Sequence, residues 1–165
     1  MGDYMNIVLL EPEIPSNTGN IGRSCMATNS SLHLIRPLGF STDDKSLKRS
    51  GLDYWSDLDV YYYDNYADFA EKQKGQQIFF ASTKAVKTYT EVSYSPNAFI
   101  VFGKESAGIP REILLANLDN CVRIPMGAKY RSLNLASSAA IVLYEALRQN
   151  DFMGLEREGL FRELD

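Results

Sequence analysis

Short runs of apolar, β-branched and aromatic residues recur along the chain, and more polar stretches separate them. Each run has about the length of one β-strand. The strands predicted from these runs are 6–11, 32–36, 59–63, 77–82, 98–103 and 121–125. The stretches between them have helical character at 18–29, 43–50, 66–74, 110–118 and 133–149. This alternation predicts an α/β fold in which helices cover both faces of a parallel sheet.

The last helical stretch has the clearest periodicity, because its apolar positions fall on one stripe. The stripe consists of Ala136, Ala139, Ala140, Leu143 and Leu147. Small residues on this face allow another backbone to approach closely, so two interpretations stay open: packing on the chain's own sheet, or a helix-on-helix contact in a dimer. Ser132 is expected to cap this helix, and Asp43 the stretch 43–50.

The length of 165 residues fits one domain, and 45% apolar residues are typical of a globular protein. No run approaches the roughly 18 apolar residues of a membrane span. The N-terminal segment lacks the basic region and the long apolar core of a signal peptide. We therefore expect a single domain over 1–165, located in the cytoplasm and without a membrane anchor.

The net charge of −4 argues against a general nucleic-acid coat, because non-specific affinity comes from cations that meet phosphates. The average hides two basic segments. Their cations are Lys45, Lys48 and Arg49 in the first, and Arg123, Lys129 and Arg131 in the second. A local basic surface on an acidic protein fits one specific RNA partner. Charge alone, however, favours ordinary solvated side chains.

Side chains that ligate metals are sparse in this sequence. His33 is the only histidine and lies inside a predicted strand, so a structural role is expected. Cys25 and Cys121 have no motif spacing, which favours buried reduced thiols over a disulfide or a zinc site. The usual nucleotide-binding glycine patterns and the nucleophile elbow are absent as well. We therefore expect no metal, and the hard chemistry would come from a bound cofactor.

Three loops have unusual compositions. The first, NTGNIGR, offers Asn17 as a helix cap and Arg23 in the first turns of a helix. The second, FGKESAGIP, follows a buried strand with Gly103, which permits close backbone approach. The third, IPMGAKYRSLN, joins a Pro–Met–Gly turn and a basic loop to the start of the last helix. Because α/β proteins bind ligands at strand ends, these loops predict a cofactor site; turns selected for geometry alone are the alternative.

In this order and spacing, the three loops resemble the SPOUT class of RNA methyltransferases. The match is close to the branch that methylates the ribose 2′-hydroxyl of the tRNA wobble nucleotide (the TrmL type). The motifs that carry the resemblance are EPEIPSNTGNIGR at 11–23, FGKESAGIP at 102–110, IPMGAKYRSLNLASSAAIVLYEA at 124–146 and DDKSLKRSGLDYW at 43–55. The resemblance covers a core of about 6–149 and leaves the tail 150–165 outside.

The resemblance implies an α/β fold with a deep trefoil knot in its C-terminal part. It further implies a homodimer in which each active site takes residues from both subunits, with dimer packing through the first and last helices. The cofactor would be S-adenosylmethionine, held in a bent pose by the second and third motif loops, with no metal. Since the chain carries no added RNA-binding domain, the dimer itself would hold the tRNA substrate.

Particular residues follow from the resemblance by position. The implied cofactor contacts are Ala81, Gly103, Ile124, Met126, Ser132 and Leu133. Arg23 matches the catalytic arginine, and the polar active-site positions are Asn17, Glu105 and Asn134. A guanidinium is a poor base because its pKa lies above about 12. We therefore expect Arg23 to hold a phosphate and to stabilise developing alkoxide charge.

The predicted function is S-adenosylmethionine-dependent 2′-O-methylation of nucleotide 34 of tRNA, either cytidine or a modified uridine. Methylation of ribosomal RNA or of another tRNA site is the nearest alternative. A non-catalytic knotted RNA-binding protein and a small-molecule α/β enzyme that uses another nucleotide are alternatives from other classes.

Overall fold

A parallel β-sheet runs through the molecule. The structure is a computed structural model, and it describes residues 5–42 and 55–159. The strands in this part of the chain are β1 Asn6–Leu10, β2 Ser31–Ile35, β3 Val60–Tyr63, β4 Ile78–Ala81, β5 Lys87–Thr88, β6 Phe99–Phe102 and β7 Cys121–Arg123. Their spatial order is β3-β2-β1-β6-β4-β7-β5, and every pairing is parallel. The parallel α/β sheet predicted from the sequence is confirmed.

Helices cover both faces of the sheet. They are α1 Pro15–Ala27, α2 Tyr66–Lys72, α3 Arg111–Ala116 and α4 Leu135–Gln149, with short 3-10 turns at Trp55–Asp57 and Leu118–Asn120. Successive strand residues point to opposite faces, so Leu9 packs under α1 and α4 while Val8 and Leu10 belong to the core under α2 and α3. Strands buried on both faces explain why their sequences are continuously apolar.

The strand predictions hold to within one or two residues at each end. β5 was not predicted, because two residues at the sheet edge are too short to produce an alternating pattern. The predicted helix 43–50 and its cap Asp43 lie outside the described residues.

Two predicted caps are wrong. α1 begins at Pro15, with Ile14 as its N-cap, so Asn17 lies inside the first turn and is not the cap. Proline starts the helix there because its fixed φ suits the first helical position. The cap of α4 is Asn134 instead of Ser132, since the Asn134 Oδ1 accepts hydrogen bonds from the N–H groups of Ala136 (2.9 Å) and Ser137 (3.2 Å).

The tail after α4 folds back onto the chain's own core as far as it is described. Phe152 and Leu155 pack against the cluster that lies under α1 and α4, and Asn29 donates a hydrogen bond to the Gly154 carbonyl (3.2 Å). The trefoil knot stays a prediction. Within 5–42 and 55–159, every helix is too short or too polar to cross a bilayer.

Candidate active site

A cavity of about 500 Å³ opens at the carboxyl ends of β4, β6 and β7. Its walls are the segments that follow these strands, the start of α1 and the first turns of α4. Cavities of roughly 300–1,000 Å³ are typical of small-molecule and cofactor sites. The position agrees with the rule that open parallel sheets bind ligands beyond the carboxyl ends of their strands.

Nine of the ten residues assigned to the site from sequence line this one cavity. They are Asn17, Ala81, Gly103, Glu105, Ile124, Met126, Ser132, Leu133 and Asn134. They come from five separate parts of the chain, and the parallel sheet brings them together. Arg23 is the tenth, and it does not line the cavity.

The position of Arg23 follows from helix geometry. It lies six residues after Asn17 on α1, which is about 120° around the helix axis and about 9 Å along it. The start of α1 therefore reaches the cavity while Arg23 is exposed on a different face of the helix. Within a single chain, the structure separates the predicted catalytic arginine from the predicted cofactor residues.

The segment after β4 also lines the cavity and was only partly predicted. Ser82, Thr83 and Lys84 follow Ala81 in a turn held by hydrogen bonds to Ser82: the Ala85 N–H donates to its carbonyl (3.2 Å) and the Lys84 N–H to its Oγ (3.2 Å). A position directly after a buried strand was the available signal. No motif includes these residues, and the family resemblance implies only Ala81 in this segment.

Gly103 begins a loop that folds tightly back on itself. A Cβ atom at this position would overlap the carbonyl carbon of Gly108 and the nitrogen of Ile109, which are backbone atoms. The Gly108 N–H donates to the Lys104 carbonyl (2.8 Å), and Gly108 has a φ of 70°. Glycine is therefore required at Gly103 by the close approach of two backbone segments.

Glu105 binds the start of α1 through its carboxylate. It accepts hydrogen bonds from the Glu13 N–H (2.8 Å), the Ile14 N–H (3.2 Å) and the side-chain amide of Asn17 (3.1 Å). Ile14 has no side chain that could satisfy the free N–H groups of this helix end. The carboxylate from the loop after β6 binds the N–H groups of the two residues before the helix and lies at the positive end of the helix dipole.

A chain of amides continues from Glu105 to α4. The Asn17 amide nitrogen donates to Glu105, and the Asn17 amide oxygen accepts from the Asn134 amide nitrogen (3.0 Å). The remaining oxygen of Asn134 caps α4. Each partner determines the orientation of the next amide, so the three side chains hold the loop after β6 and the starts of both helices in one arrangement.

Two further contacts join the segment after β1 to the loop after β6. The Glu13 carboxylate accepts from the Ser106 N–H and Oγ (both 2.8 Å), which lowers the pKa of Glu13. Lys104 pairs with Glu11 (2.8 Å), and the hydrogen bond raises the pKa of the lysine. These bonds make one wall of the cavity a cross-connected polar structure.

The remaining titratable candidates lie in the core. His33 is buried in β2, where Nδ1 contacts the Tyr63 hydroxyl (2.8 Å) and Nε2 the Asn6 amide oxygen (3.0 Å), and burial lowers its pKa to about 4. Cys25 and Cys121 are free and buried, and burial raises the pKa of the Cys25 thiol to about 12. The structural histidine and the buried thiols are confirmed.

A family model described as "SpoU rRNA Methylase family" matches residues 4–144. The chain belongs to the SpoU methylase family. A relative from Listeria innocua, provisionally named a tRNA (cytidine(34)-2′-O)-methyltransferase, is 53% identical over 156 residues, which cover 93% of this chain and 92% of the relative. The resemblance inferred from the three loops is confirmed.

Solved structures of this class share the fold. One, named "Structural insights into the 2-OH methylation of C/U34 on tRNA", matches with a TM-score of 0.83 and 41% identity, over 91% of this chain and 99% of that chain. An rRNA methyltransferase from Sinorhizobium meliloti, solved with AdoMet bound, matches with a TM-score of 0.76 and 27% identity, over 88% of this chain and 56% of that chain. This SpoU family member therefore has the fold of these methyltransferases.

Proposed function

We propose that this protein transfers a methyl group from S-adenosylmethionine to the ribose 2′-hydroxyl of nucleotide 34 of tRNA, as a single cytoplasmic domain that works as a homodimer. The observation that carries the proposal is the near full-length match to a structure concerned with C/U34 methylation. The cavity supports it, because the residues that the family resemblance assigns to the cofactor come together there.

The residues around the cavity fit S-adenosylmethionine. Apolar side chains such as Val122, Ile124 and Val142 offer walls for a purine, while the loops after β4, β6 and β7 bring backbone N–H and C=O groups to its edge. The residues that hold the cofactor are then Ala81, Gly103, Ile124, Met126, Ser132 and Leu133. When bound, S-adenosylmethionine supplies an activated methyl group on its sulfonium.

Arg23 serves the cavity of a second copy in this proposal. It is exposed and lies away from the cavity of its own chain, while α1 packs beside α4. α4 keeps Ile141 and Tyr144 37% and 48% exposed, which supports a dimer contact through this pair of helices. In the proposed dimer, the arginine of one subunit acts at the cavity of the other.

The guanidinium of Arg23 holds a phosphate beside the target nucleotide and stabilises negative charge that develops on the 2′-oxygen. The proton passes to a phosphate oxygen or to water, because a guanidinium does not accept it. Asn17, Glu105 and Asn134 act by position: their hydrogen bonds hold α1 and the loop after β6 against α4.

A methyl-transfer assay tests the activity. Purified protein is incubated with labelled S-adenosylmethionine and total tRNA, and in a parallel reaction with ribosomal RNA, and the methylated nucleotide is mapped. We expect label on the 2′-oxygen of nucleotide 34. Label on ribosomal RNA or on another tRNA position would favour the nearest alternative, to which the rRNA description of the family gives weight. RNA binding without transfer would favour a non-catalytic role.

A mixed-dimer experiment tests the role of Arg23. Arg23→Ala and Asn134→Asp variants are unfolded together, refolded together and assayed. If Arg23 acts across the dimer, the mixed dimer has one site with both native residues and recovers activity that neither variant has alone. No recovery, in a sample whose mixed dimers are verified by native mass spectrometry, would place Arg23 in its own chain's site.

Two substitutions test whether Arg23 acts through its positive charge. Arg23→Ala should lower turnover and leave the affinity for S-adenosylhomocysteine nearly intact, as measured by calorimetry. Arg23→Lys should retain much of the rate if charge alone suffices. Abolished turnover in the lysine variant with normal tRNA binding would contradict the electrostatic role.

A further inference from the structure

Tyr130 lies in the loop between Met126 and Ser132, which both line the cavity, and its ring is open to solvent. The residue is 76% exposed, in a turn where its N–H donates to the Gly127 carbonyl (3.0 Å). A methyl group added at Gly127 would meet the ring at 3.5 Å, so the ring lies beside the bare backbone of this glycine. One side of the aromatic ring is therefore supported and the rest is free to receive another planar group.

Two cations flank this ring. Lys129 and Arg131 are exposed, and among the described residues neither has a carboxylate within ion-pair distance. The sequence contains no acid from Cys121 to Tyr144. An exposed aromatic ring between two cations is the arrangement with which proteins bind single-stranded nucleic acids, because the ring stacks on a base while the cations meet phosphates.

The distance to the cavity limits which base can be involved. Ser132, two residues after Tyr130, lines the cavity, so the two positions are at most about 7 Å apart along the chain. We propose that Tyr130 stacks on the base of a nucleotide adjacent to the methylated one, with Lys129 and Arg131 on the neighbouring phosphates. This inference rests on the proposed RNA substrate and names a residue that selects unpaired RNA at the site.

A synthetic tRNA anticodon stem-loop with 2-aminopurine next to nucleotide 34 tests the stacking. In the wild type, stacking on Tyr130 should change the 2-aminopurine fluorescence on binding. Tyr130→Ala should abolish this change and weaken stem-loop binding by roughly 5- to 150-fold, the range measured for base–aromatic stacking. Tyr130→Phe should retain both signals, and Tyr130→Leu should lose them, since leucine is apolar but not planar.

Two further measurements distinguish base stacking by Tyr130 from cofactor binding and from contact with a second copy of the chain. The affinity for S-adenosylhomocysteine should not change in Tyr130→Ala, and neither should the sedimentation coefficient. A matching loss of cofactor affinity would assign the ring to the cofactor, and a change of oligomeric state would assign it to a second copy; either result overturns the proposal. Wild-type methyl transfer combined with an unaffected alanine variant would overturn the stacking while leaving the proposed function intact.

The salt dependence of stem-loop binding tests the two cations. Lys129→Ala and Arg131→Ala should each reduce the slope of log K against log salt concentration by about 0.7, the value for one phosphate contact on a single strand. Lys74→Ala is the matched control, because Lys74 is also exposed but precedes β4, at the amino ends of the strands, whereas the cavity lies at their carboxyl ends. Unchanged slopes in both Lys129→Ala and Arg131→Ala would contradict the proposed contacts between these cations and the phosphates.

Discussion

The loops after β6 and β7 line the same cavity but are held in opposite ways. Residues 103–109 are joined to the segment 11–17 by an ion pair and by hydrogen bonds that involve the side chains of Glu13, Asn17, Glu105 and Ser106. In 125–133, the contact described is one turn bond, from the Tyr130 N–H to the Gly127 carbonyl. Most residues of this second loop are exposed.

The different contacts of the two loops suit them to different roles at the cavity. A cross-connected wall loses little conformational entropy when a ligand arrives, which suits precise placement of a cofactor and of α1. An exposed loop with free cations can adapt to a flexible RNA strand at some entropic cost. The same cavity thus combines a pre-organised side with an adaptable side.

Substitutions at two glycines, one in each loop, give the strongest test of whether the loops differ in how tightly they are held. Gly103→Ala should destabilise the protein by about 3 kcal/mol or more, because the new Cβ overlaps the backbone of Gly108 and Ile109. Gly127→Ala should have a much smaller effect, since its Cβ meets only the Tyr130 ring at ordinary contact distance. Urea denaturation of both variants measures the difference. Equal losses would show that the two loops are equally constrained.

Acid also weakens the sheet that carries both loops, through the buried histidine of β2. Burial lowers the pKa of His33 to about 4, whereas the unfolded chain protonates it near 6.5. The unfolded state therefore binds the proton first, and stability falls as the pH drops from about 6.5 toward 4, by up to about 3 kcal/mol. Above pH 6.5 this contribution is fully present.

The matched variant for this prediction is His33→Gln, which keeps amide partners for Tyr63 and Asn6 but does not titrate. Free energies of unfolding near neutral pH and near pH 4 are compared between the two proteins. The wild type should lose more stability than the variant, and parallel curves would show that His33 is protonated in the folded state.

Glu105→Gln tests how much the cross-connected wall depends on one carboxylate. Glutamine keeps the shape but leaves at least one of three donors, the Glu13 N–H, the Ile14 N–H or the Asn17 amide, without its acceptor. The expected loss of stability is about 1–3 kcal/mol, with weaker S-adenosylhomocysteine binding in calorimetry. Glu13→Gln is the control and should lose less, because its contacts to Ser106 are exposed. The reverse order would mean that Glu13 holds this wall.

Two variants of Asn134 distinguish its role as the cap of α4 from its hydrogen bond to Asn17. Asn134→Ala removes the α4 cap and should cost about 1 kcal/mol of stability. Asn134→Asp retains the cap oxygens but has no amide to donate to Asn17, so it should be stable and slow in methyl transfer. Thermal unfolding and turnover are measured on both variants. Normal turnover in the aspartate variant would show that the amide link has no part in catalysis.

Much of the fold and most of the site residues could be predicted from the sequence. Buried strands have continuous apolar runs because both of their faces are covered, and this pattern is local. β5 left no such pattern. The site residues follow from the family resemblance that the three motif loops carry, position by position. Lys84 and its neighbours follow β4 outside these motifs, so they were missed.

The sequence by itself determined the parallel α/β class, the SPOUT resemblance and the residues that meet at the cavity. The tertiary structure decided which groups bind one another. Glu105 reaches the start of α1 across 92 positions of the chain, and Asn134 reaches Asn17 across 117. It also separated Arg23 from its own cavity. Periodicity reports which face of an element is buried, whereas the partners of a polar group depend on how distant elements pack, and no local pattern records that packing.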